Sequence, residues 1–299
     1  MRWANYLQAN KVMGIFLFNT NDGQDRDYGA IDPVWREIPI WQFSRRLKSE
    51  QNIALMPLDK KYMGPRSENQ PKVGLDPFSF RQKEPLIFWR GATNGTKNEG
   101  QSIRWLSGEI NQVFSIQEHS EQLIEGLSKL RDFLRIRIVE NLIDSPIADV
   151  GFVHRNGMET PAQIRKWYKP PSPRVEWCKR KYLLALEGNC YATSLYWQLA
   201  SNSVVLMPSR CWETALDYGL QEGVHFLPVG ESRAEIEAVV EHCESNPEMC
   251  ENIIKNAHDF VELITDNEIR DTIDIETSRR YATIIRELQA SGELALSKF

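Results

Sequence analysis

The sequence predicts an α/β fold in which parallel sheets carry helices on both faces. Short apolar segments that suit buried strands alternate with segments of helical periodicity along the 299 residues. Hydrophobic residues make up 41% of the chain and charged residues 26%, the balance of a globular protein with a large core. The proline-rich segment 160–173 predicts a linker between two such α/β units, which would enclose a cleft.

In the first half of the chain, the apolar segments are short and are bounded by polar, glycine-bearing or proline-bearing stretches. One longer segment, residues 120–141, carries leucine or isoleucine every three or four residues and predicts an amphipathic helix. Residues 19–29 and 60–85 are polar and predict loops. The predicted strands of this half are residues 13–18, 38–43, 52–56, 86–89 and 148–153.

In the second half, strands and helices alternate more regularly, as is typical of a parallel sheet with crossover helices. The predicted strands are residues 182–186, 203–207 and 225–229. The predicted helices are residues 192–201, 213–218, 233–244, 248–263 and 275–288.

The composition argues against several classes of protein. A net charge of −5 gives no electrostatic footprint for nucleic acid. The longest apolar run, residues 12–18, is too short to cross a bilayer, and no signal-peptide pattern opens the sequence. Five cysteines without CxxC spacing predict reduced thiols, and therefore a cytoplasmic protein without a zinc or disulfide framework.

The segment 181–208 predicts a phosphate-binding site. It combines a strand, a glycine-centred turn and a helix, and open α/β sheets bind ligands beyond the carboxyl ends of their strands, where a helix N-terminus attracts phosphate. Glu187 suits the ribose hydroxyls of a nucleotide, and Lys181 suits a phosphate. Two alternatives stay open: Thr193 and Ser194 cap the helix without any ligand, and Lys181 is solvated.

A second candidate site is the turn of residues 88–95. Arg90 ends an apolar strand there, with Gly91 beside it. Arginine suits bidentate contact with a diphosphate, and glycine lets the backbone come close to a ligand. The alternative is a surface turn in which Arg90 pairs with a local carboxylate.

A third pattern is Asp25-Arg26-Asp27, which matches the Asp-x-Asp pair with which one class of sugar-nucleotide enzymes holds a divalent metal. Carboxylate oxygens are suitable ligands for Mg²⁺ or Mn²⁺. The pattern is short, and the surrounding loop is generally polar. The sequence contains no nucleophile elbow, HExxH motif, Walker loop or GxGxxG motif.

Several motifs resemble those of one family in order and spacing. They are Trp89-Arg90-Gly91, Asp149–Phe152, Lys181-Tyr182-Leu183, Glu187-Gly188-Asn189, Ala192-Thr193-Ser194, Trp197, Ser201-Asn202-Ser203 and His225–Pro228. With these motifs the chain resembles glycosyltransferase family 90, the CAP10-like or lipopolysaccharide-modifying family. The resemblance covers about residues 86–263 and is loose before residue 86.

The resemblance implies a GT-B architecture, in which the parallel sheets of two Rossmann-like domains face a cleft. Residues 1–160 would form an acceptor-side domain, residues 161–273 the nucleotide-sugar-binding domain, and residues 274–299 a C-terminal helix that packs back on the first domain. It also implies inverting transfer from a UDP-sugar without a bound metal or other cofactor. The implied donor-binding residues are Arg90, Gly91, Thr93, Glu187, Gly188, Asn189, Thr193 and Ser194, with Lys181 as a further hypothesis for phosphate neutralisation.

Inverting transfer needs a carboxylate that removes the proton of the acceptor hydroxyl. The family's aspartate precedes an Ile-x-x-Pro-like segment, and Asn52 stands at the comparable place here, where an amide cannot act as a base. Asp59 is therefore the favoured candidate because it is near in sequence, with Asp27 and Asp32 as alternatives. A chain that has lost or relocated the base is the remaining possibility.

The sequence thus predicts an enzyme that transfers sugar from a UDP-sugar to a glycan acceptor, such as a lipopolysaccharide or capsule precursor. A lipid-linked acceptor would bring the protein to the membrane surface as a peripheral protein. Two other functions stay open: a metal-dependent GT-A transferase that uses Asp25 and Asp27, and a non-catalytic protein of the same fold that binds sugar nucleotides.

Overall fold

A five-stranded parallel sheet forms the centre of the part of the chain that the structure describes, which confirms the predicted α/β class. The structure is a computed structural model, and it describes residues 2–19, 39–47, 53–55, 71–93, 95–96, 102–103, 121–153, 162–188 and 190–292.

The described strands and helices are short at the N-terminal end and long at the C-terminal end. In chain order, the strands are β1 (Ile40–Gln42), β2 (Ser44–Arg46), β3 (Ile53–Leu55), β4 (Glu84–Gly91), β5 (Gly95–Thr96), β6 (Ser102–Ile103), β7 (Ala148–Phe152), β8 (Arg180–Leu184), β9 (Val204–Met207), β10 (Trp212–Thr214) and β11 (Leu227–Pro228). The helices are α1 (Arg2–Ala9), α2 (Glu121–Leu130), α3 (Leu134–Leu142), α4 (Arg174–Trp177), α5 (Leu195–Leu199), α6 (Arg233–Ser245), α7 (Pro247–Thr265) and α8 (Asn267–Ala290).

The strands of the central sheet lie in the order β7–β4–β8–β9–β11, and all neighbouring pairs are parallel. The chain therefore moves outward from β4 to β7, returns past β4 to β8, and then continues in the other direction. This reversal makes the gap between β4 and β8 the topological switch point of the sheet. In open α/β sheets, the carboxyl ends of the strands at such a point form a ligand-binding crevice.

The sheet is buried on both faces, which explains why its strands are continuous apolar runs. All four residues of β9 are buried, and they alternate between two hydrophobic clusters. Val204 and Leu206 pack with residues of α3 and α6, whereas Val205 and Met207 pack with residues of α5 and α7. The alternation gives the three-layer arrangement that the sequence predicts.

Local signals fix the ends of the long helices. Ser232 precedes α6 and forms a capping box with Glu235. The Ser232 side chain accepts from the Glu235 backbone N–H, and the Glu235 side chain accepts from the Ser232 backbone N–H. Pro247 opens α7, where its missing N–H costs nothing. Asp266 caps α8 by accepting from the backbone N–H of Ile269. Within the described ranges, no helix combines the length and the apolar character needed to cross a membrane.

The predicted helix of residues 120–141 is two helices, α2 and α3. The break occurs at Phe133, whose backbone is extended (φ −96°, ψ 126°) and whose side chain is fully buried. Phe133 belongs to the same hydrophobic cluster as Leu130 and Ile136, so its burial stabilises the break. The predicted strand of residues 13–18 is also wrong, since only Phe18 forms a bridge, to Trp41.

The predicted helix of residues 213–218 is wrong, because residues 212–214 form β10. This strand pairs antiparallel with β2, with Trp212 opposite Arg46 and Thr214 opposite Ser44. The strand state depends on a partner far away in the sequence, which local periodicity does not reveal.

The proline-rich segment 160–173 is not a linker between two sheets. Within it, residues 162–167 form a 3₁₀ helix, Trp167 is buried, and the Lys169 backbone N–H donates to Phe152 O on β7 at 2.8 Å. The predicted boundary between residues 160 and 161 therefore does not divide two sheets, since β4 and β7 hydrogen-bond in the same sheet as β8.

The C-terminal helix α8 contacts the N-terminal segments through a stack of aromatic rings. The ring of Tyr281 lies 5.0 Å from that of Trp41 and 5.4 Å from that of Phe16. The Tyr281 hydroxyl also donates to Pro39 O at 2.7 Å and accepts from the Leu17 N–H at 3.2 Å. These contacts place α8 beside β1, which pairs in parallel with β3.

A buried ion pair joins the amino ends of three strands of the central sheet. The Lys83 Nζ, just before β4, donates to Asp76 Oδ2 at 2.5 Å, to Cys178 O at 2.6 Å and to Ser203 Oγ at 2.9 Å. Cys178 precedes β8 and Ser203 precedes β9. The two charged side chains are 0% and 2% exposed. Burial lowers the pKa of Lys83, and the Asp76 carboxylate opposes that shift.

We expect Asp76→Ala to reduce the free energy of unfolding by about 3–5 kcal/mol, because it leaves the Lys83 charge buried without its carboxylate. Urea denaturation measures the change. The matched control is Lys166→Ala, which breaks an exposed pair with Asp144 and should change stability by less than about 0.5 kcal/mol. Equal effects of the two substitutions would contradict this role of the buried pair.

Candidate active site

The carboxyl ends of β4 and β8 lie at the switch point, the place where open α/β sheets form a ligand-binding crevice. We call this place the switch-point crevice and define it by residues 90–93 at and just after the end of β4, residues 185–188 after β8, and Arg135 of α3. Its walls meet because β4 and β8 are hydrogen-bonded neighbours, with Phe88 opposite Leu183.

Arg135 is the positively charged residue that joins the two strand ends. Its Nη1 donates to Ala92 O at 3.1 Å, and its Nη2 donates to Leu186 O at 2.8 Å. Its guanidinium also lies 5.4 Å from the ring of Trp89. Burial lowers the pKa of Arg135 to about 10, and the negative charge of Glu187 partly offsets that shift, so the group stays charged at neutral pH.

Two glycines allow this close packing. A Cβ atom on Gly188 would lie 2.9 Å from the Arg135 Nη2, and one on Gly91 would lie 2.3 Å from the ring of Trp89. A side chain at either position would displace the group that lines the crevice. Both glycines were predicted from the sequence as donor-site residues; the contacts that the structure shows for them are with protein side chains.

Glu187 lies at the end of β8 and holds the segment that leads into β10. Its Oε2 accepts from the Cys211 N–H at 2.9 Å, and its Oε1 accepts from the Trp212 N–H at 3.1 Å. The residue is buried, and burial raises the pKa of its carboxyl to about 7 despite the two backbone donors. These bonds give Glu187 a structural role, beside the predicted contact with ribose.

A buried network fixes the residues that follow. The Tyr196 hydroxyl donates to Asp217 Oδ1 at 2.7 Å and lies 2.6 Å from Thr214 Oγ1. Asp217 Oδ2 accepts from the Thr214 N–H at 2.7 Å and pairs with Arg210 at 2.8 Å. Burial raises the pKa of Asp217, while Arg210 opposes the shift. The network sets the course of residues 210–217 along the crevice.

The N-terminal part of the chain reaches the same segment through β2. Arg45 Nε pairs with Glu213 Oε1 at 2.5 Å, and the Arg46 guanidinium lies 5.2 Å from the ring of Trp212. The Trp212 backbone N–H also donates to Glu187, so Trp212 connects β2 to the residues that follow β8.

The structure places Arg90 on a local carboxylate, the alternative considered for this residue. Its Nη2 contacts both Asp149 carboxylate oxygens at 2.8 Å, and its Nη1 donates to Asp149 O at 2.8 Å. The guanidinium lies 4.5 Å from the ring of Phe88, so it points back along β4 and away from the crevice.

The structure places Lys181 away from the switch-point crevice, which argues against the predicted donor role. Lys181 is the second residue of β8, at the amino edge of the sheet, and its Nζ contacts the Glu244 carboxylate at 2.7 and 3.0 Å. Glu187 lies six positions further along the chain, which is about 20 Å for an extended backbone. A residue at the strand start cannot reach a ligand at the strand end.

The remaining predicted residues lie after the two strands. Thr93 hydrogen-bonds to the Tyr168 side chain. Burial raises the pKa of Tyr168, and this hydrogen bond partly offsets the shift. Thr193 is exposed, and Ser194 precedes α5 without a side-chain capping bond. Because α5 has five residues, its dipole is smaller than that of a long helix, and the predicted attraction of phosphate to its N-terminus stays a prediction. Asn189 lies outside the described residues.

Sequence reasoning missed Arg135, Arg210 and Arg46. Arg135 was hidden in a segment interpreted as one amphipathic helix, and its position at the start of α3 follows from the break at Phe133. The apolar periodicity runs through residues 120–141 without interruption, so no local signal in the sequence places Arg135 at a helix start.

The described residues contain no group of three His, Cys, Asp or Glu side chains suited to a metal ion. Asp25, Asp27, Asp32 and Asp59 lie outside them, so the Asp-x-Asp pair and the three candidate bases stay predictions.

The sequence matches the family model described as glycosyl transferase family 90 over residues 63–272, which is more than half of the chain. The chain belongs to glycosyltransferase family 90. The match includes the whole central sheet and the switch-point crevice, and it confirms the family that the motifs of residues 89–228 indicated.

A curated relative of this family 90 chain is the O-glucosyltransferase LpsA of Dichelobacter nodosus. The two are 29% identical over 227 residues, which cover 75% of this chain and 56% of the relative. This chain therefore spans little more than half the length of the relative.

Similar solved structures include a glycosyltransferase from Rickettsia africae, with a TM-score of 0.44, 9% identity, and coverage of 95% of this chain and 74% of that chain. Another is the sucrose-phosphate synthase of Thermosynechococcus elongatus, with a TM-score of 0.33, 9% identity, and coverage of 53% of this chain and 42% of that chain. Both scores are below 0.5, so the fold described above stands on its own strand order.

We expect Glu187 to make the stability of the protein fall as the pH rises from about 4.5 to about 7. The pKa of this carboxyl is about 7 in the folded state against an ordinary value of 4.5, so the folded state binds more protons in that window. Between these pH values, the free energy of unfolding of the wild type, measured by urea denaturation, should fall by about 3 kcal/mol relative to that of Glu187→Gln. Parallel pH profiles of the two proteins would exclude the raised pKa.

Proposed function

We propose that this family 90 chain is a glycosyltransferase that binds a nucleotide sugar, a UDP-sugar, at the switch-point crevice. The observation that carries the proposal is the position of Arg135, a half-buried cation held between the carboxyl ends of β4 and β8. The carboxyl ends of strands at a switch point are the place where open α/β sheets bind nucleotides.

In this proposal Arg135 supplies the positive charge that faces the donor diphosphate. When the bond between the sugar and the diphosphate breaks, negative charge grows on the leaving phosphate oxygen. A cation that is already in place stabilises that charge without reorganisation. The two strand-end carbonyls and the ring of Trp89 hold the guanidinium in place.

The residues after β8 form the other wall of the proposed donor site. Glu187 fixes residues 211 and 212, and Gly188 leaves room for Arg135. Asn189, Thr193 and Ser194 follow this wall and remain proposed donor contacts, as do Gly91 and Thr93 after β4. Arg90 contributes by fixing the end of β4 against β7 through Asp149.

Chemically, we propose inverting transfer. A carboxylate removes the proton of the acceptor hydroxyl while that oxygen attacks C1 of the sugar from the face opposite the diphosphate. Asp59 is the proposed base, with Asp27 and Asp32 as alternatives. The parallel pairing of β1 with β3, and of Phe18 with Trp41, supports a second α/β unit in the N-terminal half, as a GT-B architecture requires.

The proposed acceptor is a hydroxyl group of a glycan, such as a lipopolysaccharide or capsule precursor. The name of the relative, O-glucosyltransferase, supports a hydroxyl acceptor and a glucosyl donor. Cysteines without paired spacing fit a cytoplasmic protein, which would meet a lipid-linked acceptor at the membrane surface.

We expect Arg135→Gln to weaken UDP binding by about 10- to 100-fold, because hydrogen bonds of a charged group contribute about 1.5–3 kcal/mol. Arg135→Lys keeps the charge but loses the planar set of donors, so its UDP affinity should lie between those of the wild type and Arg135→Gln. Isothermal titration calorimetry with UDP measures the affinities.

The matched control is Lys181→Gln, which removes an equal charge at the amino ends of the strands and should leave UDP affinity unchanged. Thermal melting of each variant excludes loss of the fold. Unchanged affinity in Arg135→Gln, or an equal loss in Lys181→Gln, would contradict the proposed donor site.

We expect Asp59→Asn to lower kcat for sugar transfer by at least about 100-fold, because the general base is lost. UDP affinity should stay the same, since the base does not contact the nucleotide. Transfer assays with UDP-glucose and a lipopolysaccharide-type glycan measure kcat, and EDTA in a parallel assay tests for a metal. Full activity of Asp59→Asn, with loss in Asp27→Asn or Asp32→Asn, would move the base to that residue.

A further inference from the structure

A cavity of about 220 Å³ lies at the amino edge of the central sheet, between residues 72–77, helix α4 and the end of α5. We call it the amino-edge pocket. Its walls include Lys72, Leu75, Asp76, Arg174, Val175 and Ala200. The strands of four to eight residues that separate it from the switch-point crevice span about 15–25 Å, so the two sites are distinct.

The charge around this pocket is positive, although the whole chain carries −5. Lys72 and Arg174 line the pocket, and Lys83 lies directly behind Asp76. Asp76 is the one carboxylate among the lining residues. Because Lys83 and Asp76 form a buried ion pair, the cations on the wall of the pocket are Lys72 and Arg174, and this surplus of positive charge attracts anions.

The Asp76 carboxylate does not compete for those cations, because its oxygens are already engaged. Oδ2 accepts from the Lys83 Nζ at 2.5 Å and from the Asn202 N–H at 2.9 Å, and Oδ1 accepts from the Phe78 N–H at 3.0 Å. The neighbouring Glu176 carboxylate is paired with Lys179 at 2.7 Å.

Arg174 is held in one orientation, as a recognition residue must be. Its guanidinium lies 4.6 Å from the ring of Trp197, and its Nη2 is 3.5 Å from Trp197 O. Trp197 itself is buried and packs edge-on against Trp177. The cation is therefore fixed to the core before any ligand arrives.

The rest of the wall is apolar. Leu75 and Val175 are 50% and 48% exposed, respectively, and Ala200 is buried. Covering two half-exposed aliphatic side chains favours a ligand with an apolar body. A cavity of about 150 Å³ in another protein holds benzene, so this one suits a six-membered ring together with one carboxylate.

We propose that the amino-edge pocket binds a compact organic monoanion, a carboxylate joined to a short apolar group. The carboxylate meets Lys72 and Arg174, and the apolar group meets Leu75 and Val175. The site is separate from the proposed donor site, so the ligand binds together with UDP and does not compete with it.

Ligand-observed NMR titration of the full chain with benzoate tests this site, with benzamide as the neutral isostere. We expect saturable one-to-one binding of benzoate with a Kd of about 1 mM or lower. Benzamide should bind at least about tenfold more weakly, because it lacks the charge that the two cations recognise. Saturating UDP should leave benzoate bound.

Lys72→Gln and Arg174→Gln should each weaken benzoate binding by about three- to tenfold. Lys72 is exposed, so its substitution tests the site without risk to the fold. Lys166→Gln, an exposed lysine on the 3₁₀ helix beside β7, is the matched control and should change nothing. Equal binding of benzamide, unchanged binding in both variants, or displacement of benzoate by UDP would each overturn the proposal.

Discussion

Strand β4 hydrogen-bonds to β7 on one side and to β8 on the other, so the connection from β4 to β7 runs one way along the sheet and the connection from β8 to β9 runs the other way. Connections that leave neighbouring strands in opposite directions create a crevice at the carboxyl ends of those strands. The crevice, the position of Arg135 over it and the approach of residues 210–217 all follow from that strand order. At the other edge of the sheet, the Lys83–Asp76 pair keeps the same strands in register.

Four basic side chains near these strands show how position decides the role of a charge. Arg90 is directed at Asp149 and stabilises the edge of the sheet. Lys181 pairs with Glu244, and Arg174 is fixed on Trp197, both at the amino edge. Only Arg135, among these four, directs its guanidinium to the backbone carbonyls beyond the carboxyl ends of both β4 and β8, where a donor diphosphate would be placed. The cations at the two ends of the strands therefore have different surroundings, and the two proposed anion sites rest on this difference.

The sequence was sufficient where a local signal determines the structure. Strand β9 is an uninterrupted apolar run, and α6 begins with Ser232 and Glu235 in a capping box, so both were predicted within two residues. Strand β10 could not be predicted, because it is stabilised by β2, whose Arg45 is 168 residues away from its partner Glu213. The roles of Lys181 and Arg135 likewise depend on the sheet edge and the helix break that tertiary packing creates.

A crystal structure of the chain with UDP tests the central claim most directly, namely that the switch point of this sheet is the donor site of a family 90 enzyme. We expect the diphosphate to lie beyond the carboxyl ends of β4 and β8, with a phosphate oxygen within hydrogen-bond distance of the Arg135 guanidinium. UDP bound at another place, with Arg135 still directed only at Ala92 and Leu186, would contradict it.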